Sequence, residues 1–215
     1  MSKLPVIAID GPAASGKGTI ARRVAMALGF AHLDTGTLYR VVGLSVLRRG
    51  GDPSDAPAAN AAVASLDLSL LEDPALRAHS TGVAASKVAA ILNVREALLA
   101  FQRDFAAHPP GGRGAVLDGR DIGTVICPAA NAKLFVTASP EVRAHRRYLE
   151  LATQDSLITE AEVLADIRAR DARDSGRAIA PLRQASDAHL LDTTHLDIEA
   201  AVERALEIVR AALRT

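Results

Sequence analysis

Short apolar runs alternate along the chain with longer stretches in which apolar residues recur at helical spacing. Five runs predict buried strands, at 4–9, 30–34, 115–118, 133–138 and 190–192. The stretches 20–28, 35–49 and 198–213 predict helices at both ends of the chain. Strands that alternate with helices indicate a parallel sheet, so we predict an α/β fold with helices on both faces of the sheet.

The region between the second strand and the last strand also contains predicted helices. Five are expected, at an alanine-rich stretch that ends near 65 and at 83–92, 95–107, 140–152 and 160–175. Pro140 favours the first position of its helix. The segment 67–82 has no regular pattern apart from a turn at Asp73-Pro74, and 154–159 predicts a turn.

The most informative segment joins the first strand to the first helix. It contains Gly-Pro-Ala-Ala-Ser-Gly-Lys-Gly-Thr at 11–19. In this strand–loop–helix context, backbone N–H groups and the helix N-terminus present positive partial charge to a polyphosphate. The alternative is a Gly/Ala turn that happens to contain a lysine. We predict that nine residues bind the phosphates of ATP: Gly11, Pro12, Ala13, Ala14, Ser15, Gly16, Lys17, Gly18 and Thr19.

The residue after the lysine narrows the class of protein. A generic phosphate-binding loop has Ser or Thr there, and its hydroxyl binds Mg²⁺. Here the position is Gly18, and the hydroxyl follows at Thr19. Gly-Lys-Gly-Thr is similar to the loop of nucleoside monophosphate kinases, in which phosphates and water hold most of the Mg²⁺ shell. The chain also lacks the Asn-Lys-x-Asp motif that a GTPase would need.

Composition restricts the partners and the compartment. At 215 residues the chain fits one α/β domain, and Lys plus Arg equals Asp plus Glu at 25 each. Because these charges balance, we expect no nucleic-acid partner. Because no apolar run approaches transmembrane length, we also expect no membrane partner. The single cysteine, Cys127, lies in an apolar stretch where we expect packing, and it fits a reducing cytoplasm. The early loop leaves no room for a signal peptide. We expect a cytoplasmic monomer.

Polar clusters follow the predicted strands, at the edge where open α/β sheets bind ligands. They cover 34–40, 118–124 and, near a helix end, 168–177. Arg170, Asp174 and Arg177 are spaced to share one helix face. The alternative for 119–121 is an ordinary polar turn, and the alternative for 168–177 is a solvated helix with salt bridges.

Together these motifs resemble the bacterial cytidylate kinases, a family of CMP/dCMP kinases, from about Val6 to Val209. The matching segments are the loop 11–19, Leu-Asp-Thr-Gly-x-x-Tyr-Arg at 33–40, Asp-Gly-Arg-Asp-Ile-Gly-Thr at 118–124, Arg-Asp-x-Arg-Asp at 170–174 and Arg-x-Ile-Ala-Pro-Leu at 177–182. The resemblance implies one P-loop NTPase-type domain over 1–215, with an NMP-binding insertion at about 60–107 and a lid at about 146–180.

The resemblance also implies a role for each matching residue. The acceptor phosphate would be held by Thr35, Arg40, Arg120 and Arg177; cytosine would be bound by Ser86, Arg95 and Asp121; the sugar hydroxyls would meet Arg170 and Asp174; and Tyr39 would shape the pocket. Lys17, Arg120 and Arg177 would be the catalytic residues. Mg²⁺ would have no direct protein ligand, with Asp118 as an outer-shell partner.

Two regions depart from a simple match or admit a second interpretation. The family normally has a longer stretch with strands where this chain has only 67–77, so we expect a trimmed insertion that lacks a hairpin. Arg143, Arg146 and Arg147 are candidates for a closing lid, and Arg146 is assigned to ATP. For Arg143 and Arg147 we favour an ordinary charged helix surface.

The predicted activity is transfer of the γ-phosphoryl group of ATP to CMP or dCMP, with Mg²⁺. Two alternatives stay open. The chain could be a P-loop kinase for another nucleotide or a metabolite hydroxyl, although a hydroxyl acceptor would need a general base. It could also be a nucleotide-binding regulatory module without transfer activity.

Overall fold

The computed structural model describes residues 4–153 and 157–214. Its five strands are β1 (Val6–Asp10), β2 (Ala31–Asp34), β3 (Ala115–Gly119), β4 (Ala132–Thr137) and β5 (His189–Asp192). Its α-helices are α1 (Lys17–Leu28), α2 (Thr35–Arg48), α3 (Ala56–Ala64), α4 (His79–Val88), α5 (Leu92–Ala107), α6 (Pro140–Ala152), α7 (Glu160–Ser175) and α8 (Ile198–Ala212). Two 3₁₀ helices cover Leu68–Glu72 and Pro74–Arg77, and a π-helix covers Ile122–Ile126.

The described residues form two compact units. The first contains the residues up to Leu33 and those from Asp104 onward, and the second contains Asp34–Arg103. No strand lies within 35–103, every residue of which is described, so the segment 67–77 forms no hairpin. The bounds of 60–107 for an insertion and 146–180 for a lid stay predictions. Among the described helices, none combines the length and apolarity needed to cross a membrane.

The sheet confirms the predicted α/β fold. Its strand order is β2-β3-β1-β4-β5, and β1 pairs in parallel with both β3 and β4. The register places Asp10, the last residue of β1, beside Gly119 of β3 and Phe135 of β4. The carboxyl ends of the three central strands therefore lie at one edge, where parallel α/β sheets bind ligands.

The core of the first unit is aliphatic, as the scarcity of aromatic residues requires. Every residue of β3 is buried, and so is every residue of β1 after Val6. Helices α1 and α8 contribute Val24 and Val209, both fully buried, to the same cluster as Ile9. Each such side chain stabilises the fold by about 1.5–3 kcal/mol relative to an exposed one. The sheet edge is thus a rigid support for its loops.

Local signals explain why two helices begin where the sequence predicts. The Ser139 side chain accepts a hydrogen bond from the Val142 N–H at 3.3 Å, and Pro140 occupies the first helical position of α6. Helix α7 begins with a capping box in which Thr159 and Glu162 satisfy each other's backbone N–H groups. The turn predicted over 154–159 includes residues 154–156, which lie outside the described residues.

Helices α4 and α5 and the stretch 122–126 differ from the prediction. Helix α4 begins at His79 and not at 83, and the break before α5 lies at 89–91 because the N–H groups of Ala90 and Ile91 bond to carbonyls three residues back. Alanine and isoleucine carry no sequence signal for such a tight helix end. The stretch 122–126 forms a π-helix, and its apolar sequence contains no signal that predicts one.

Candidate nucleotide-binding site

The loop after β1 passes very close to the neighbouring strand. A Cβ atom on Gly11 would lie 2.0 Å from the Val136 carbonyl oxygen of β4, so only glycine fits without moving backbone. Ala14 and Gly16 have φ angles of 58° and 85°, in the left-handed region. Left-handed residues between right-handed ones curl a loop so that successive N–H groups point into one concavity. This is the backbone shape that an anion-binding loop requires.

The start of α1 is prepared for an anion. Gly16 precedes the helix without a side-chain cap, and the first turn contains no acidic residue. The first N–H groups of a helix have no partner within it, and the helix dipole makes this end positive. The Ser15 hydroxyl is fully buried and has no hydrogen-bond partner among the described residues. Lys17 Nζ lies 3.4 Å from the Pro12 carbonyl oxygen, over the same loop.

Thr193 supports this loop, and the sequence analysis missed it. Its Oγ1 lies 3.2 Å from the Ser15 carbonyl oxygen and 3.1 Å from that of Thr137. Arg146, assigned to ATP from the sequence, donates to Thr193 Oγ1 at 3.1 Å and to the Thr193 carbonyl at 2.8 Å. Arg146 therefore contacts the loop indirectly, through Thr193. A contact between Arg146 and ATP stays a prediction.

Arg143 corrects an expectation. It was expected on a charged helix surface, but its side chain is only 4% exposed and forms a bidentate pair with Asp171 of α7, at 2.7 Å for Nη2. It also donates to the Ala138 carbonyl at 2.8 Å and to the Ala13 carbonyl of the loop at 3.3 Å. Four acceptor contacts compensate the buried charge. Arg147, by contrast, pairs with Glu150 on the same helix, as a solvated surface predicts.

Asp10 ends β1 as a buried carboxylate that the sequence analysis did not assign. Its two oxygens accept from the N–H groups of Ile122 at 2.8 Å and Gly123 at 2.7 Å. Burial raises the pKa of Asp10 to about 6, and nearby Asp121 adds to the rise, although the two N–H donors and Arg120 oppose it. The carboxylate thus joins the end of β1 to the start of the π-helix.

Asp118, at the end of β3, faces the start of α1. It is buried, its Oδ1 lies 2.8 Å from His32 Nε2, and its Oδ2 would lie 3.6 Å from a Cβ on Gly18. One oxygen is therefore held by a side chain while the other lies beside the helix end expected to bind phosphate. A carboxylate in this position fits an outer-shell role toward hydrated Mg²⁺. Within the described residues, no three His, Cys, Asp or Glu side chains form a metal cluster.

Asp174 is the centre of a cluster of arginines. It contacts Arg120 Nε at 2.9 Å, Arg177 Nη2 at 2.5 Å and Arg170 Nε at 3.9 Å, and its side chain is 1% exposed. Burial raises the pKa of Asp174, but the three guanidinium groups together outweigh it and lower the pKa to about 2. The alternative of a solvated helix with salt bridges is therefore wrong for this face of α7.

The second unit holds the remaining predicted residues. Tyr39 of α2 and Arg95 of α5 are both buried, and the Arg95 guanidinium lies 5.7 Å from the Tyr39 ring centre, within range of a cation–π contact. Arg95 also donates to the Ala89 carbonyl at 3.2 Å. Arg40 donates to the Leu76 carbonyl at 2.8 Å, which ties α2 to the second 3₁₀ helix.

Thr35 and Ser86 complete this second set. Thr35 is the first residue of α2 and Ser86 lies on α4, and both are buried. The five predicted residues of this unit thus come from three helices. Their roles toward a nucleotide stay predictions, as do those of Asp121, Arg170 and Arg177 in the first unit.

Comparison with known proteins identifies relatives over nearly the whole chain. Residues 7–211 match the family model for cytidylate kinase. The cytidylate kinase of Rhodospirillum rubrum is 60% identical over 205 residues, which cover 95% of this chain and 96% of that protein. The cytidylate kinase of a Bradyrhizobium species is 57% identical over 206 residues, which cover 96% of each chain.

Solved structures show the same fold at much lower identity. An uncharacterized protein from Eubacterium ventriosum superposes with a TM-score of 0.58 at 12% identity, over 96% of this chain and 99% of its own. A protein from Thermus thermophilus gives a TM-score of 0.52 at 18% identity, over 99% of both chains. At these identities the likeness concerns the fold alone.

The raised pKa of Asp10 predicts a pH dependence of stability. The folded chain holds this proton to about pH 6, while the unfolded chain releases it near the ordinary value of 3.8. Stability contributed by the protonated form is therefore lost as pH rises from about 4 to about 6, by about 3 kcal/mol. Asp10→Asn has no carboxyl group at this position, so its stability does not fall for this reason as the pH rises. In urea unfolding from pH 4 to pH 7, the stability of Asp10→Asn relative to the unmodified protein should therefore rise.

Asp67→Asn provides the control for this measurement. Hydrogen bonds from Ser69 lower the pKa of the exposed Asp67, so stability contributed by the charged form is lost as pH falls. This loss lies below about pH 4, so the stability of Asp67→Asn relative to the unmodified protein should stay nearly constant from pH 4 to pH 7. A difference for Asp10→Asn that stays constant with pH would contradict the buried, proton-holding state of Asp10.

Proposed function

Because this chain belongs to the cytidylate kinase family, we propose that it transfers the γ-phosphoryl group of ATP to CMP and dCMP, producing ADP with CDP or dCDP. The observation that carries the proposal is the start of α1, which has no side-chain cap and follows a curled loop. Beside it lies the Ser15 hydroxyl, which has no hydrogen-bond partner in the part of the chain that the structure describes. Such a loop binds a polyphosphate without any base-specific contact. Relatives that are 57–60% identical and are named cytidylate kinases indicate that the acceptor is a cytidine monophosphate.

On the donor side, loop residues 11–19 bind the β- and γ-phosphates of ATP. Backbone N–H groups fix the phosphates, and Lys17, a flexible point charge, follows the γ-phosphoryl group as it moves. The loop is held in shape by Gly11 against β4 and by Arg143 on the Ala13 carbonyl. Arg146 adds positive charge next to Thr193. Bound Mg²⁺ supplies charge neutralisation at the phosphates, with Asp118 in its outer shell.

On the acceptor side, Arg120 and Arg177 bind the phosphate of CMP. The attacking phosphate oxygen is already ionised at neutral pH, so the reaction needs no general base. It needs the repulsion between two anions to be neutralised and the reacting atoms to be aligned. We also propose that Thr35 and Arg40 bind acceptor phosphate, on the strength of the matching motif at 33–40.

Base selection is assigned to Asp121, Ser86 and Arg95. Cytosine carries an exocyclic amine where uracil carries a carbonyl, so an ionised carboxylate accepts from cytosine and repels uracil. Asp121 is buried in this structure, which removes competing water. We propose that Tyr39, whose ring centre lies 5.7 Å from the Arg95 guanidinium, shapes the surroundings of the base.

Sugar binding is assigned to Asp174 and Arg170. The three arginines around Asp174 keep its carboxylate ionised, and an ionised carboxylate is a strong acceptor for a sugar hydroxyl. CMP and dCMP both carry the 3′-hydroxyl. A pair directed at this hydroxyl accepts either substrate, whereas a pair directed at the 2′-hydroxyl alone would reject dCMP.

The proposal also covers assembly and compartment. We assign the activity to a monomer in the cytoplasm that has no nucleic-acid or membrane partner. The equal numbers of acidic and basic residues support the absence of a nucleic-acid partner, and the single cysteine fits a cytoplasmic location.

An acceptor panel tests the function directly. With ATP and Mg²⁺, we expect CMP and dCMP to be phosphorylated with kcat/KM values within about tenfold of each other, or about 1.4 kcal/mol. UMP should be used at least about 100-fold less well because a buried carboxylate would face its carbonyl. Coupled ADP-release assays with each monophosphate and with hydroxyl acceptors measure this. Equal use of UMP would overturn the base assignment, and ADP release with a hydroxyl acceptor alone would favour a metabolite kinase.

Asp174→Ala separates a substrate role from a structural salt bridge. We expect kcat/KM to fall at least about tenfold for both CMP and dCMP, with the KM for ATP nearly unchanged, because the sugar contact is lost on the acceptor alone. A purely structural buried ion pair would instead lower the stability by about 3–5 kcal/mol and leave the kinetics of the folded enzyme normal. Steady-state kinetics beside a melting curve distinguishes these results.

Asp187→Ala is the matched control for Asp174→Ala. Asp187 pairs with Lys133 at 2.7 Å, and Lys133 is buried. Removing the Asp187 carboxylate therefore leaves a buried cation without its partner, as Asp174→Ala does. We expect Asp187→Ala to lower stability while CMP and dCMP kinetics stay normal. If both variants lose acceptor activity equally, the sugar assignment fails.

A further inference from the structure

We propose that Asp10 is a positioning residue that fixes the turn carrying Arg120 and Asp121, and thereby sets the affinity and base selectivity for the acceptor. Asp10 lies on a different strand from that turn, and its partner Ile122 is 112 residues away in sequence. The inference rests on the proposed function, because it acts through two residues assigned to CMP.

The contacts of Asp10 are made to backbone and not to side chains. Its Oδ1 accepts from the Ile122 N–H at 2.8 Å and its Oδ2 from the Gly123 N–H at 2.7 Å. These are the first two residues of the π-helix, whose N–H groups have no partner within that helix. Asp10 therefore serves as its N-terminal cap, although it comes from another element.

The residues assigned to the acceptor come directly before the π-helix that Asp10 caps. Asp121 immediately precedes the π-helix, and its carbonyl accepts from the N–H groups of Val125 at 2.9 Å and Ile126 at 3.1 Å. Arg120 in turn donates to Asp174 at 2.9 Å. Because Ile122 follows Asp121 directly in the chain, we expect a shift at Ile122 or Gly123 to move the side chains of Asp121 and Arg120.

A carboxylate is the group that this position requires. Both oxygens accept, whereas an asparagine would accept with one oxygen and set its NH₂ group against the other N–H donor. Burial makes the charge unfavourable and raises the pKa of Asp10 to about 6, so the carboxylate reduces stability at neutral pH. A charge kept at such a site points to a requirement for geometry over stability.

Gly123 shows how tightly the turn is packed. A Cβ on Gly123 would lie 3.3 Å from Asp10 Oδ2 and 3.1 Å from Lys133 Cδ. The turn is therefore confined between the carboxylate of β1 and a side chain of β4. This confinement gives a second way to perturb the same turn while Asp10 itself stays unsubstituted.

The test uses Asp10→Asn and Gly123→Ala with ATP, CMP and UMP. We expect each variant to raise the KM for CMP by about tenfold or more and to lower the CMP-over-UMP preference, with the KM for ATP within about twofold. Asp197→Asn is the matched control. It also replaces a carboxylate that caps a helix, at the Ala200 N–H of α8, and it should leave all three kinetic constants unchanged.

Each outcome decides one point. An unmodified protein that does not phosphorylate CMP overturns the proposed function itself. If the unmodified protein is active and both variants lose only thermal stability, Asp10 has a structural role and the inference fails. A rise confined to the KM for ATP also overturns it, because Asp10 would then act through the adjoining loop. If Asp10→Asn does not fold, the acceptor kinetics of Gly123→Ala decide between these outcomes.

Discussion

The parallel pairing of β1 between β3 and β4 is the constraint on which the rest of the site depends. Because parallel strands end at the same edge, the loop after β1 and the turn after β3 leave the sheet side by side. The glycine at 11 lets the first loop pass within contact of β4. The helix that follows then begins at this edge with its positive end open. The backbone shape that we assign to phosphate binding therefore results from topology before any charged side chain is added.

Buried carboxylates then fix the loops that topology brings together, and their environments differ. Asp10 is held by two neutral N–H donors, which do not offset its burial, so its pKa rises. Asp174 is also buried but faces three arginines, so its pKa falls. The first arrangement holds backbone in place. The second keeps three guanidinium groups together that would otherwise repel one another.

The features that sequence analysis predicted have local signals. The loop 11–19, the Ser139-Pro140 start of α6 and the Thr159–Glu162 start of α7 each lie within a few residues, so their physics is visible in the sequence. The features it missed join distant segments. Arg143 meets Asp171 across 28 residues, Asp10 meets Ile122 across 112, and Thr193 meets Ser15 across 178. An arginine on an amphipathic helix gives no local sign that a carboxylate from a later helix will bury it.

The central claim is that the loop of the first unit holds the transferring phosphates through Lys17. A ³¹P NMR time course of ATP with CMP and Mg²⁺ tests it most directly, in the unmodified protein and in Lys17→Ala. The account predicts that the CDP and ADP signals appear with the unmodified protein. With Lys17→Ala they should appear at least about 100-fold more slowly, because a preorganised charge is lost from the moving group. CMP affinity in the same variant, measured by calorimetry, should stay within about twofold. Near-normal CDP formation by Lys17→Ala would contradict the account.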